Sequence, residues 1–273
     1  MIHLFPKLKN KMLMICACCV ALAGIYLALN RTANPLVILL ALIAVLAAVV
    51  FSQLITAYNV HNQMLAKLYQ HMDLPGFLRL YEPLLNLKVS PNLYLMVRLH
   101  LSNAYCAQGR FDEAKALLES VTISKGKKPE DELLSRFAVT SNLCYFAQQQ
   151  EDLSSAQTYM DELLSLKAKL ETMQKNKPEK KRMVFNTELN EQIMQFMKTG
   201  KADIEALRKL VQNNGQQLHK VTISLWIARA YLAENNRREA ETLLKKIVTL
   251  APGLYPGKQA AQILSSLPHC EKA

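Results

Sequence analysis

The sequence predicts an all-α protein in which an N-terminal two-helix transmembrane hairpin precedes a series of amphipathic helical hairpins. Three observations carry this. The 273-residue chain has only 8 Gly and 10 Pro among long Leu-, Ala-, Lys-, Glu- and Gln-rich segments, which leaves little of the turn chemistry a sheet-rich fold needs. Two stretches near its start, 12–29 and 36–55, contain no charged residue. From Tyr58 onward apolar residues recur three and four apart, the period of a helix with one buried face. The implied division is a membrane hairpin over 1–57, a helical domain over 58–267 and a short tail, 268–273.

The first span reads MLMICACCVALAGIYLAL and the second LVILLALIAVLAAVVFSQLI. At about 1.5 Å per residue each covers roughly the 30 Å hydrocarbon core, and a helix satisfies its own backbone hydrogen bonds there. The connector Asn30-Arg-Thr-Ala-Asn-Pro35 has room only for a tight turn. Small residues four apart (Ala17 and Ala21, Gly24 and Ala28, Ala44 and Ala48) are expected to let the two backbones approach closely. Lys7, Lys9 and Lys11 precede the first span while the connector carries only Arg31, which places the N-terminus, and after two spans the helical domain, on the cytoplasmic side of a cell membrane. A cleaved signal peptide is the rival reading, since Ala21-Leu22-Ala23 follows a basic start, but the second span would still tether the product. Cys16, Cys18 and Cys19 lie inside the first span and Cys106, Cys144 and Cys270 stand singly, so no disulfide framework is implied. The cluster reads as small apolar residues of a membrane helix, with acylation the alternative. Too little apolar sequence precedes Cys18 or Cys19 for a lipoprotein signal.

In the helical domain, Asp73-Leu-Pro-Gly, Ser90-Pro91, Gly109-Arg110, Thr199-Gly200 and Asn213-Asn-Gly215 are cap and turn signals between amphipathic segments such as Leu93, Val97, Leu101, Ala104 and Tyr105. One stretch recurs. Aligning Tyr105 on Tyr231 brings Leu101 onto Ile227, Ala114 onto Ala240 and Leu118 onto Leu244 without a gap. A third window places Leu143, Ala147, Ala156 and Met160 on Leu101, Tyr105, Ala114 and Leu118. This is an internal repeat.

These windows resemble the tetratricopeptide (TPR) repeat, carried by Leu101-Ser102-Asn103-Ala104-Tyr105, Gly109, Phe111 and Ala114, and by Ala240 with Pro252. The third window departs from the pattern with Ala147 in place of Tyr and no terminal Pro. Two further hairpins, about 58–88 and 184–214, have the right length and little of the motif. The resemblance implies a right-handed superhelix of about five TPR-like hairpins, stacked so that each buries its apolar stripe on the next. Residues 257–267 would cap it. It also implies a concave groove lined by first helices and a protein or peptide partner held there. Positions turned away from the second helices are Met96, Leu99, Asn103 and Cys106, then Ser141, Tyr145 and Gln148, then Leu225, Arg229 and Leu232. The competing reading for the Leu and Met among them is plain core. Some members of the family clamp a chaperone's C-terminal carboxylate with Lys and Asn. Here Asn103 and Asn142 fit, but Leu99 replaces the first Lys, and Thr187 or Glu188 with Glu191 or Gln192 replace the later cations, so no clamp is expected.

The formal net charge of +11 favours anionic partners. Residues 167–182 hold seven Lys or Arg against two Glu, either a solvated helix extension or a contact for anionic lipid. Nucleic acid is not expected, because no aromatic or Gly-rich recognition motif is interleaved with the charges. No H-E-x-x-H, no Cys pair at ligand spacing and no phosphate loop occurs, so neither enzyme activity, nor a metal, nor a cofactor is expected. The function that follows is a membrane-anchored scaffold or adaptor. The alternative is a structural subunit whose transmembrane hairpin is the main contact surface.

Overall fold

The structure, a computed structural model, describes residues 5–30, 34–123, 129–173 and 178–268. The centre of the connector (31–33), the basic insertion at 124–128, part of the 167–182 run and the tail beyond 268 lie outside them. Among the described residues the chain is helical throughout, with no strand. Helices α1 (Pro6–Leu29) and α2 (Pro35–Tyr69) both open on a proline at the first turn, where no amide hydrogen is missed, and the Asn34 side chain caps α2 by accepting from the Leu36 amide at 3.0 Å.

Helix α2 does not stop at the expected edge of the hairpin. It runs unbroken for 35 residues, and no Gly or Pro interrupts it after its first position. The boundary inside it is one of burial. Phe51 is 66% and Tyr58 57% exposed, whereas Ala57 and Leu68 are fully covered. Both α1 and α2 are long and apolar enough to cross a membrane, and their apolar windows are unburied.

The seam of the hairpin is not the one expected. Ala17, Ala21, Gly24, Ala28, Ala44 and Ala48 are all exposed, and a side chain added at Gly24 would meet nothing within 4 Å. The partly covered positions include Met12, Ile15, Cys16, Cys19 and Ala23 on α1, with Ile38, Leu42, Leu46, Val49 and Gln53 on α2. Bulkier side chains make more dispersion contacts across the seam than alanines do, and the small residues turn outward.

Beyond the hairpin come α3 (Leu74–Tyr81), a 3-10 turn (Glu82–Asn86), α4 (Pro91–Gln108), α5 (Phe111–Glu119), α6 (Pro129–Gln149), α7 (Leu153–Met173), α8 (Pro178–Thr199), α9 (Ile204–Asn213), α10 (Gln217–Ala233), α11 (Arg237–Leu250) and α12 (Tyr255–Ser266). Successive helices pack as pairs, α2 with α3 through α10 with α11. Each pair turns on one residue with positive φ: Met72 (54°), Gly109 (85°), Glu151 (59°), Gly200 (68°) and Asn235 (60°). Gly109 adopts that left-handed conformation without the side-chain clash the other residue types carry.

In the three windows aligned by sequence the turn is the same hydrogen bond for hydrogen bond. Arg110, Asp152 and Asn236 amides donate to the Tyr105, Ala147 and Tyr231 carbonyls at 2.9, 3.0 and 2.8 Å, closing the end of each first helix. Ala114, Ala156 and Ala240 then fall at the same place in each second helix, all with no exposed surface.

The core does not run as an open stack. Its largest cluster joins Leu68, Phe77 and Leu101 near the start of the domain to Leu218, Leu225 and Leu244 near its end. Accordingly α10 packs on α2 and α12 on α4.

Candidate functional site

The first helices α4, α6 and α10 meet the start of α12 along the face expected to be an open groove. The Gly257 backbone at the first turn of α12 lies so close to the α11–α12 corner that a Cβ there would stand 1.8 Å from the Ala251 carbonyl oxygen. Two residues earlier, Tyr255 points inward. Its ring meets Phe111 edge-on at 4.8 Å, and its hydroxyl donates to the Gln149 carbonyl oxygen at 3.2 Å. What remains between Asn103, Cys106, Tyr145, His219, Thr222 and Tyr255 is a cavity of about 40 Å³, space for a few waters and no peptide.

The expected partner-binding residues divide accordingly. Cys106 (6% exposed), Ser141 (4%), Gln148 (0%) and Leu225 (1%) are buried and out of a partner's reach. Gln148 donates to the Asn190 carbonyl oxygen at 2.9 Å, so α6 uses it to hold α8. Leu225 sits in the main core cluster. The physical reason is the self-contact of the domain, which buries positions that a lone hairpin would expose. Met96, Leu99, Asn103, Tyr145, Arg229 and Leu232 keep partial exposure. Arg229 is already engaged: it pairs with Glu151 at 3.1 Å, approaches Gln259 of α12 at 3.4 Å and lies over the Trp226 ring at 4.8 Å.

Beyond the uncovered apolar half of α2 lies a polar aromatic cluster that sequence patterns did not reveal. His61 and Tyr69 of α2, Tyr81 of α3, His100 and Asn103 of α4 and His219 of α10 converge, with ring centroids 5.5–6.1 Å apart in the neighbouring pairs. Asn103 donates its amide to the Tyr69 hydroxyl at 3.1 Å, so the phenol's own proton is free for His100 Nδ1 at 2.9 Å. In the Nε2–H tautomer His100 accepts that proton at Nδ1. The six histidines are scattered in sequence, and only the meeting of α2, α3, α4 and α10 groups three of them. Among the described residues no group of three or more His, Cys, Asp or Glu is arranged to hold a metal.

Burial dominates the protonation equilibria here. It lowers His100 to about 3, with His61 and Arg182 adding repulsion, and lowers His219 to about 4. It raises Cys106 and lifts Cys144 to about 12, so neither is a thiolate nucleophile near neutrality. Since both histidine values lie below the unfolded value of about 6.5, the unfolded chain binds more protons in between. Their stabilisation is complete above pH 6.5 and falls as the pH drops toward 4. The expected slope is roughly 1 kcal/mol per pH unit for each histidine. Chemical denaturation between pH 7 and 5.5, above the range in which most carboxylates titrate, measures it, and His219→Gln should roughly halve the slope. A wild-type stability independent of pH over that window contradicts this account.

No protein-family model matches the sequence, and no curated protein matches it either. A solved structure to which the chain is similar is the crystal structure of BtubC (BKLC) from P. vanneervenii, at 16% sequence identity and a TM-score of 0.37, over 97% of this chain and 96% of that one.

Proposed function

We propose that this chain is a membrane-anchored helical scaffold of the TPR type, with its N-terminus and repeat domain on the cytoplasmic side, which binds a protein or peptide partner and catalyses no reaction. The observation that carries the proposal is the single helix α2, apolar and uncovered over its first half and built into the domain core over its second. An uncovered apolar hairpin of this size has no stable place in water, while a helix shared between bilayer and core holds the domain at a fixed distance from the surface. Five hairpins that each turn on one positive-φ residue, three of them with the same closing hydrogen bond, support a repeat architecture. With the inner face occupied by α12, the partner is read by the partly exposed Met96 and Leu99 and by the outer faces. The exposed cations Lys181 and Arg182 add a contact for anionic surfaces.

The second reading, a structural subunit that works through its hairpin, is favoured by the outward small residues of α1 and α2, which fit a close-packed neighbouring helix. Crosslinking with mass spectrometry on intact membranes separates the two. Protein crosslinks concentrated on α4–α11 are expected for the scaffold, and crosslinks confined to α1 and α2 would replace it with the subunit reading. In whole cells Thr249→Cys, exposed on α11, should react with an impermeant maleimide only after the cells are opened, in a chain with Cys270→Ser. Labelling of intact cells would overturn the orientation.

A further inference from the structure

We infer that the first turns of α1 form a binding site for an anionic phospholipid, with the headgroup phosphate held by Lys7 and Lys11 and an acyl chain lying along the same face of the helix. The inference rests on the membrane reading above. Lys7 and Lys11 are four residues apart, one turn of helix, and both are exposed. The same face continues through Met14 (63% exposed), Leu22 (66%), Ile25 (56%) and Leu29 (81%), all apolar. From Met14 to Leu29 the stripe is about 22 Å long, more than the roughly 15 Å depth of one leaflet. One face therefore offers positive charge at one end and uninterrupted hydrocarbon contact beyond it, the order in which a phospholipid presents its phosphate and its chain.

Two further features favour a lipid over an acidic protein segment. No Asp or Glu precedes Asp73 in the sequence, so the hairpin offers these lysines no internal counter-ion, and neither is ion-paired among the described residues. Phe5, immediately before α1, packs on the main core cluster. That contact fixes the basic turns where the hairpin enters the domain, at the depth where headgroups lie.

The test uses full-length protein titrated with phosphatidylglycerol and with phosphatidylcholine of identical acyl chains, the retained lipid being counted by native mass spectrometry. The wild type should prefer phosphatidylglycerol, with about fivefold of the preference coming from each lysine and most of it lost at high salt. Lys7→Gln with Lys11→Gln should bring the ratio close to one, while Lys245→Gln with Lys246→Gln, on exposed positions of α11, should leave it unchanged. Equal retention of the two lipids by the wild type, or a preference that survives the Lys7 and Lys11 replacements, overturns the site. Flotation with vesicles of either lipid reads the anchor separately. Protein that floats with both and prefers neither loses the lipid site and keeps the anchor, and protein that floats with neither loses both.

Discussion

A fragment of residues 58–268 is expected to remain soluble, helical and cooperative in melting without detergent, while a fragment of 72–268 is expected to unfold or aggregate. Both lack the apolar hairpin, so only the buried half of α2 distinguishes them. That half supplies Met64 (6% exposed), Leu68 (0%) and Tyr69 (6%) to the main core cluster. Losing large buried side chains costs about 2–5 kcal/mol each, and the sum for three exhausts the 5–15 kcal/mol of a typical domain. The shorter fragment also leaves His100 without the Tyr69 hydroxyl and removes the surface on which α10 packs. Circular dichroism and size-exclusion chromatography in detergent-free buffer decide the matter. A folded 72–268 fragment would mean that α2 is an accessory of the domain and not part of its core.

Gly257→Ala is expected to undock α12 and destabilise the domain. The added methyl would stand 1.8 Å from the Ala251 carbonyl oxygen and 2.6 Å from its carbonyl carbon. Those atoms belong to the backbone and cannot swing aside as a side-chain tip does. The minimum cost is the 1–3 kcal/mol typical of overpacking, about the same again being lost if Tyr255 leaves its place against Phe111 and Gln149. Gly253→Ala is the control. Nothing lies within 4 Å of its added carbon, and the substitution should be neutral or slightly stabilising. The melting temperature should drop for the first variant alone, with proteolytic cleavage appearing between α11 and α12. Equal melting of the two variants would show that the corner relaxes and that α12 is not a fixed part of the inner face.

Much of the helical layout was legible in the chain because its signals are local. Asp73 caps α3 through the Gly76 amide at 2.9 Å, Pro91 opens α4, Gly109 ends it with φ of 85°, and Asn214 follows α9. The alignment of Ala114, Ala156 and Ala240 likewise corresponds to three fully buried positions. The turn pattern predicts a last helix from Gly257, yet it begins at Tyr255, because Pro256 suits the first turn of a helix as well as the loop before one. The turn at Glu151 had no glycine to announce it.

The sequence by itself determined that the chain is helical, that two uncharged segments at its start are long enough to span a bilayer, and where most hairpins turn. All of these depend on residues within a few turns of one another, through hydropathy, periodicity and capping. Only the tertiary structure decided which faces meet. It turned the small residues of the hairpin outward, carried α2 into the core, gathered His61, His100 and His219 from three helices, and closed α12 over positions expected to face a partner. A helix with apolar residues on more than one side has several faces it can bury, and its own sequence does not rank them. The choice comes from the partners brought up by distant parts of the chain, as when Leu225, exposed on an isolated hairpin, becomes core because α10 packs on α2.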